Sequence, residues 1–84
     1  LKVDGTGSII VHVAKEDYAY VQEQKAALLE EAGMQSSSVE IVSDATLARA
    51  QCMIETEGGV YDCSLDTELA ELKRRLMLLA YQKS

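Results

Sequence analysis

Tryptophan, phenylalanine and proline are absent from this chain, and histidine occurs once. The interior therefore has to be filled by Leu, Ile, Val and Ala, helped by four tyrosines. Cations are also scarce: 8 Lys and Arg stand against 14 Asp and Glu, a net charge of −6. That balance argues against non-specific binding to nucleic acid or anionic lipid, because both need a basic surface. No apolar run approaches the roughly 20 residues of a membrane-spanning helix, and no targeting segment is visible. Nucleophile elbows, zinc-ligand spacings and kinase signatures are missing as well. Two cysteines without a signal peptide are expected to be unpaired thiols in a reducing, cytoplasmic setting.

Hydrophobic residues make up 48% of the 84-residue chain, which fits one small folded domain rather than a disordered segment. So small a core leaves little surplus over chain entropy, so help from a partner subunit is expected. The chain begins at Leu1 rather than Met, and we take it to be part of something longer.

The organising stretch runs from Cys52 to Thr67 and leads into an amphipathic segment from Glu68 to Tyr81. Two short alternating runs meet at Gly58-Gly59, a composition suited to a two-residue hairpin turn. That turn would set Glu57 against Val60, Thr56 against Tyr61, Glu55 against Asp62 and Ile54 against Cys63. Cys52, Ile54, Thr56, Tyr61 and Cys63 then share the buried face, with Cys52 diagonal to Cys63. The other face carries Met53, Glu55, Glu57, Val60 and Asp62, with two carboxylates opposed across the strands, a destabilising arrangement.

The remainder reads in order. Residues 1–7 form a flexible lead-in. Its Gly-Thr-Gly-Ser portion is not a phosphate loop, because a strand follows the glycines where a helix is required. Ser8 to Val13 is a strand with Ile9, Val11 and Val13 inward and Ile10 and His12 outward. His12 has no nearby Cys, second His or Ser pattern and supports no catalytic role. Lys15 to Ala32 is a helix with Tyr18, Val21, Lys25, Leu28, Leu29 and Ala32 in a stripe and Gly33 as its cap. At most one of Tyr18 and Tyr20 can lie in the core. Val39 to Val42 is a second strand, parallel to the first through a crossover, and residues 44–50 are an irregular connector. In the last helix Ser64 is the expected cap, and Leu65, Leu69, Leu72, Leu76 and Leu79 step by four, three, four and three into one stripe. Leu78 and Tyr81 are the residues such a helix would not easily bury. The fold class is thus α/β (α+β), in the order β-α-β-β-β-α, with a mixed sheet and helices packed on it.

Between Arg49 and Lys73 lie Glu55, Glu57, Asp62, Asp66, Glu68 and Glu71 and no basic residue. Metal binding would need several oxygens converging on one point, and acid–base catalysis would need a cleft that raises one carboxyl pKa; an exposed strand face offers neither. No cofactor, metal or catalytic residue is expected. A solvated acidic face is the plain reading, and an acidic docking face for a basic or amphipathic helix is the functional one.

The run Cys52-x-Ile54-Glu55-Thr56-x-x-Gly59-x-x-Asp62-x-Ser64-Leu65-Asp66-Thr67-x-Leu69-x-x-Leu72 resembles the C-terminal domain of the FliH/YscL family, the peripheral stators of flagellar and virulence type III secretion ATPases. Val11-His12-Val13-Ala14-Lys15-Glu16-Asp17 is similar to the same family's strand-to-helix entry, with Lys15 where proline is usual. The resemblance implies a fold like the C-terminal part of the E component of vacuolar-type ATPases, and a domain, residues 8–84, that is not an enzyme. It also implies that this domain holds the N-terminal segment of the export ATPase as a homodimer. An N-terminal arm would reach the cytoplasmic ring or sorting platform at the inner membrane's cytoplasmic face, with no insertion into the bilayer. The residues offered for partner binding are Glu55, Glu57, Asp62, Leu69, Leu72, Leu76, Leu78 and Tyr81, with Gly58, Gly59 and Ser64 as turn and cap. A dimeric regulatory domain that binds a metabolite in a cleft, and a purely structural dimerisation domain, are the alternatives.

Overall fold

A computed structural model describes residues 8–82; the lead-in expected over residues 1–7 lies outside them. The elements are β1 (Ile9–Val13), α1 (Lys15–Ala32), a 3-10 turn (Ser36–Ser38), β2 (Val39–Ser43), β3 (Gln51–Thr56), β4 (Gly59–Ser64) and α2 (Ala70–Gln82). The strands form one sheet in the order β2-β1-β3-β4. β1 and β2 are parallel, while β1–β3 and β3–β4 are antiparallel. This is the β-α-β-β-β-α order and mixed sheet that the periodicities predict.

Alternation decides which side of the sheet is dry. Ile9, Val11, Val13, Val39, Ile41, Cys52, Ile54 and Cys63 are buried and form one core with Val21, Leu28 and Leu29 of α1, with Leu72 and Leu76 of α2, and with Leu69 just before it. Both helices therefore cover the same face. Fully burying a Val, Leu or Ile side chain is worth about 1.5–3 kcal/mol, so this face carries most of the favourable free energy of folding. α1 ends as expected: Gly33 adopts φ 79°, and Gly33 and Met34 donate backbone N–H bonds to Glu30 and Leu29. That is a left-handed glycine stop, which closes the last carbonyls of the helix. Lys73 of α2 donates to Glu31 of α1 at 2.9 Å.

Three local expectations are corrected. Thr56 pairs with Gly59, so the turn is Glu57-Gly58 and lies one residue earlier than Gly58-Gly59. The Thr56 hydroxyl fixes it by accepting the Gly58 N–H at 3.0 Å and donating to the Gly59 carbonyl at 3.3 Å. The left-handed requirement falls on Gly59, at φ 150°. Moving the turn by one residue leaves every side chain on its predicted face but changes its partner: Glu55 faces Val60, Asp62 faces Met53, and Cys52 faces Cys63. The expected opposition of Glu55 and Asp62 is thereby relieved.

Ser64 is the last residue of β4 and does not cap α2. Asp66 takes that role, its Oδ1 accepting the Ala70 N–H at 2.8 Å. α2 starts at Ala70 rather than directly after Ser64, so Leu65 and Leu69 of the expected stripe precede the helix; Leu69 sits at φ 57°, outside helical space. That conformation delivers the Leu69 side chain to the core, where it is buried. Both Tyr18 and Tyr20 are exposed. Tyr20 nevertheless ties α1 to the β4–α2 connection by donating to the Thr67 carbonyl at 2.6 Å.

Candidate functional site

Once the leucine stripe of α2 is used on the sheet, the outer flank of that helix remains. Leu69, Leu72 and Leu76 lie inside the core and offer no surface to a partner, a correction that follows from the period of the stripe itself. Met77 is 46% exposed, Leu78 52% and Tyr81 84%. Beside Leu78 a cavity of about 110 Å³ is lined by Ile54, Tyr61, Arg75, Leu78 and Leu79. Arg75, Leu78 and Leu79 are spaced three and four apart and so share one flank of α2. Tyr61 comes from β4, an edge strand whose outer backbone groups have no neighbouring strand in the sheet. Such an edge is a ready template for another chain.

The acidic residues offered for the same task stand elsewhere. Tyr61 faces the helices, so by alternation Val60 and Asp62 point to the opposite side of the sheet, together with Glu55 of β3. Glu57 is in the turn. The fold therefore separates Leu78 and Tyr81 from Glu55 and Asp62, which the sequence pattern assigns to one docking surface. Tyr61, Arg75 and Leu79 belong to the flank beside Leu78, and the sequence pattern does not single them out for it; Met77, two residues from both Arg75 and Leu79, projects from the other side of α2. The signal that could find them is the hairpin register combined with the helical spacing of 75, 78 and 79.

His12 lies on the open side of the sheet, where its Nε2 donates to Glu55 Oε1 at 2.9 Å and its Nδ1 is 3.6 Å from Asp44 Oδ2. The Asp44 carboxyl is held below its ordinary range by hydrogen bonds from the Thr46 hydroxyl and N–H, at 2.6 and 2.9 Å, with a smaller contribution from His12. Among the described residues no cluster of His, Cys, Asp or Glu is arranged to hold a metal ion. Cys52 and Cys63 are buried unpaired thiols. The hydrogen bond with Cys63, then burial, pushes the Cys52 thiol up.

A second depression, about 450 Å³, lies between α1 and the β4–α2 connection and is lined by Asp17, Tyr20, Arg49 and Asp66 among others. Three of its polar side chains are engaged with the backbone. Asp17 accepts the Ala50 N–H at 2.7 Å, Tyr20 donates to Thr67, and Asp66 accepts from Ala70. A small-molecule site needs polar groups converging on the ligand; here three of them brace the junction instead. No helix among the described residues is long and apolar enough to cross a membrane.

No curated protein and no solved structure matches the chain. The family model described as flagellar assembly protein FliH matches residues 1–72, a span that takes in the whole sheet, α1 and the start of α2. By that match the chain belongs to the FliH family of flagellar assembly proteins, non-catalytic regulators of the flagellar and type III secretion export ATPase.

Proposed function

We propose that this domain acts as a peripheral stator that holds the N-terminal segment of the export ATPase on the outer flank of α2 and the adjoining β4 edge. The observation that carries the reading is the cavity of about 110 Å³ between Tyr61, Arg75 and Leu78, with exposed Tyr81 one turn beyond Leu78 on the same helix. A cavity of that size takes one large apolar side chain, and an amphipathic helix laid in such a groove is held by anchors at i, i+3, i+4 and i+7. As a homodimer with an N-terminal arm, the domain would link the ATPase to the cytoplasmic ring or sorting platform. Family membership supports the partner, and the apolar flank supports the place.

The test is co-purification with the cognate ATPase, whole and lacking its first roughly 20 residues, about 30 Å of helix. A stable complex with the whole ATPase and none with the shortened one is expected. Equal binding by both would remove the docking segment.

A further inference from the structure

The sheet side opposite the helices carries ten outward side chains; besides the Gln51–Ser64 pair at one end, eight stand in two rows across the four strands. One row is Glu40, Ile10, Glu55 and Val60; the other is Val42, His12, Met53 and Asp62. No described element covers this face. Ile10, Val42 and Met53 are half-buried and Val60 is 59% exposed. Water on one side is ordinary for sheets built largely of antiparallel pairs, where the open face is usually polar in alternation; here that face keeps apolar residues on every strand. The parallel β1–β2 pair contributes Ile10 and Val42 to the open side.

The pattern is more specific than an apolar patch. The four apolar residues alternate between the rows from strand to strand, so Val42, Ile10, Met53 and Val60 make a zigzag band crossing all four strands. Acids flank it on both sides, Glu40 and Glu55 on one and Asp62 on the other, with Asp44 beyond His12. Among the described residues the four strands contain no Lys or Arg. Three interstrand gaps of about 4.8 Å make the band about 14 Å long, which equals about ten residues of helix.

We infer that this face is a second docking surface, and that its occupant is a basic amphipathic helix laid across the strands, with an apolar stripe on the zigzag and Lys or Arg on both flanks. Charge complementarity selects the occupant. A second copy of this acidic face would set carboxylate against carboxylate, and anionic lipid or nucleic acid is repelled by the same rim. The surface is separate from the α2 flank, on the other side of the sheet, and the inference stands whether or not that flank holds the ATPase.

The test uses the 84-residue chain, ¹⁵N-labelled, titrated with a Leu/Lys peptide of about 14 residues whose leucines follow helical spacing. A Leu/Glu peptide of the same pattern and a Lys/Gln peptide serve as comparisons. Expected are shifts at Ile10, Val42, Met53 and Val60 with the Leu/Lys peptide alone. The triple variant Glu40→Gln, Glu55→Gln, Asp62→Asn should bind it about tenfold more weakly, within the reach of three exposed ion pairs, while Leu78→Glu should leave it unchanged. Shifts centred on α2, equal binding of the Leu/Glu peptide, binding by Lys/Gln as tight as by Leu/Lys, or an unaffected triple variant would each overturn the inference.

Discussion

Cys52 stands directly opposite Cys63 on the inner face of the hairpin, and both thiols are buried. The Leu65 N–H bonds the Ala50 carbonyl at 2.9 Å, which makes 50–65 a hydrogen-bonded pair. Alternation along the ladder makes 52–63 another. Cβ atoms across such a pair are about 5.5 Å apart, whereas an unstrained disulfide needs about 3.8 Å. Mild oxidation of the native chain should therefore leave two titratable thiols, silent to Ellman's reagent until urea is added. A fast cross-link would contradict the register.

The same pair carries a pH dependence. The folded state holds Cys52 protonated above its ordinary range, through the hydrogen bond with Cys63 and then burial. Its contribution to stability is therefore complete below about pH 8.5, where the unfolded thiol is still protonated, and is lost as the pH rises further. The same hydrogen bond holds the Cys63 thiol below its ordinary range, a contribution of opposite sign that grows until the unfolded thiols have ionised. The net fall therefore belongs to the alkaline end, where the folded pair keeps one proton and the unfolded chain none. Thermal unfolding from pH 8 to 10 should show a midpoint that falls toward pH 10, with a shallower fall in Cys52→Val.

Leu72 and Leu76 are fully buried. Truncating either to Ala should cost about 2–5 kcal/mol, read from urea midpoints, a loss a domain this small would barely survive. Met77→Ala, on the exposed side of the same helix, should change stability by less than about 0.5 kcal/mol.

Ala50 sits at φ 71° with an exposed side chain. A left-handed alanine costs roughly 1–2 kcal/mol that glycine does not incur, and glycine's greater unfolded freedom returns part of that. Ala50→Gly should stabilise by about 0.5–1 kcal/mol, while Ala50→Val should destabilise; unfolding curves of the three chains decide the matter.

Asp66, and not Ser64, closes the first turn of α2. Asp66→Ala should lose about 1 kcal/mol, the usual worth of a cap, and Ser64→Ala should stay within about 0.5 kcal/mol. The reverse order would restore the assignment that the sequence alone suggests.

Element order is legible in the sequence because each element carries its own period: Ile9, Val11 and Val13 alternate, and Leu72, Leu76 and Leu79 step by four and three, whereas Leu65 and Leu69, which extend the same spacing, precede the helix. Which aliphatic residues face the core is legible for the same reason; Tyr18 and Tyr61, placed inward by the same periods, are exposed and Thr56 is half-buried, because they lie at its rim. The hairpin register is not, because Gly58-Gly59 and Glu57-Gly58 keep every side chain on the same face, and the Thr56 hydroxyl that chooses between them acts only once the chain has turned. The cap escapes sequence reading because Leu69, a residue with no evident left-handed preference, delays the helix. The candidate site is half legible: Leu78 and Tyr81 are surplus to a full stripe, but their separation from Glu55 and Asp62 depends on which side of the sheet both helices choose, a tertiary choice that local pattern does not record.

The docking role of the α2 flank is tested most directly by calorimetric titration of this chain and its Leu78→Glu variant with the N-terminal segment of the cognate export ATPase. Leu78 is half exposed, so the variant should fold normally. Docking on this flank predicts binding by the native chain and at least about tenfold weaker binding by the variant, about 1.4 kcal/mol. Equal affinity for both chains would contradict it.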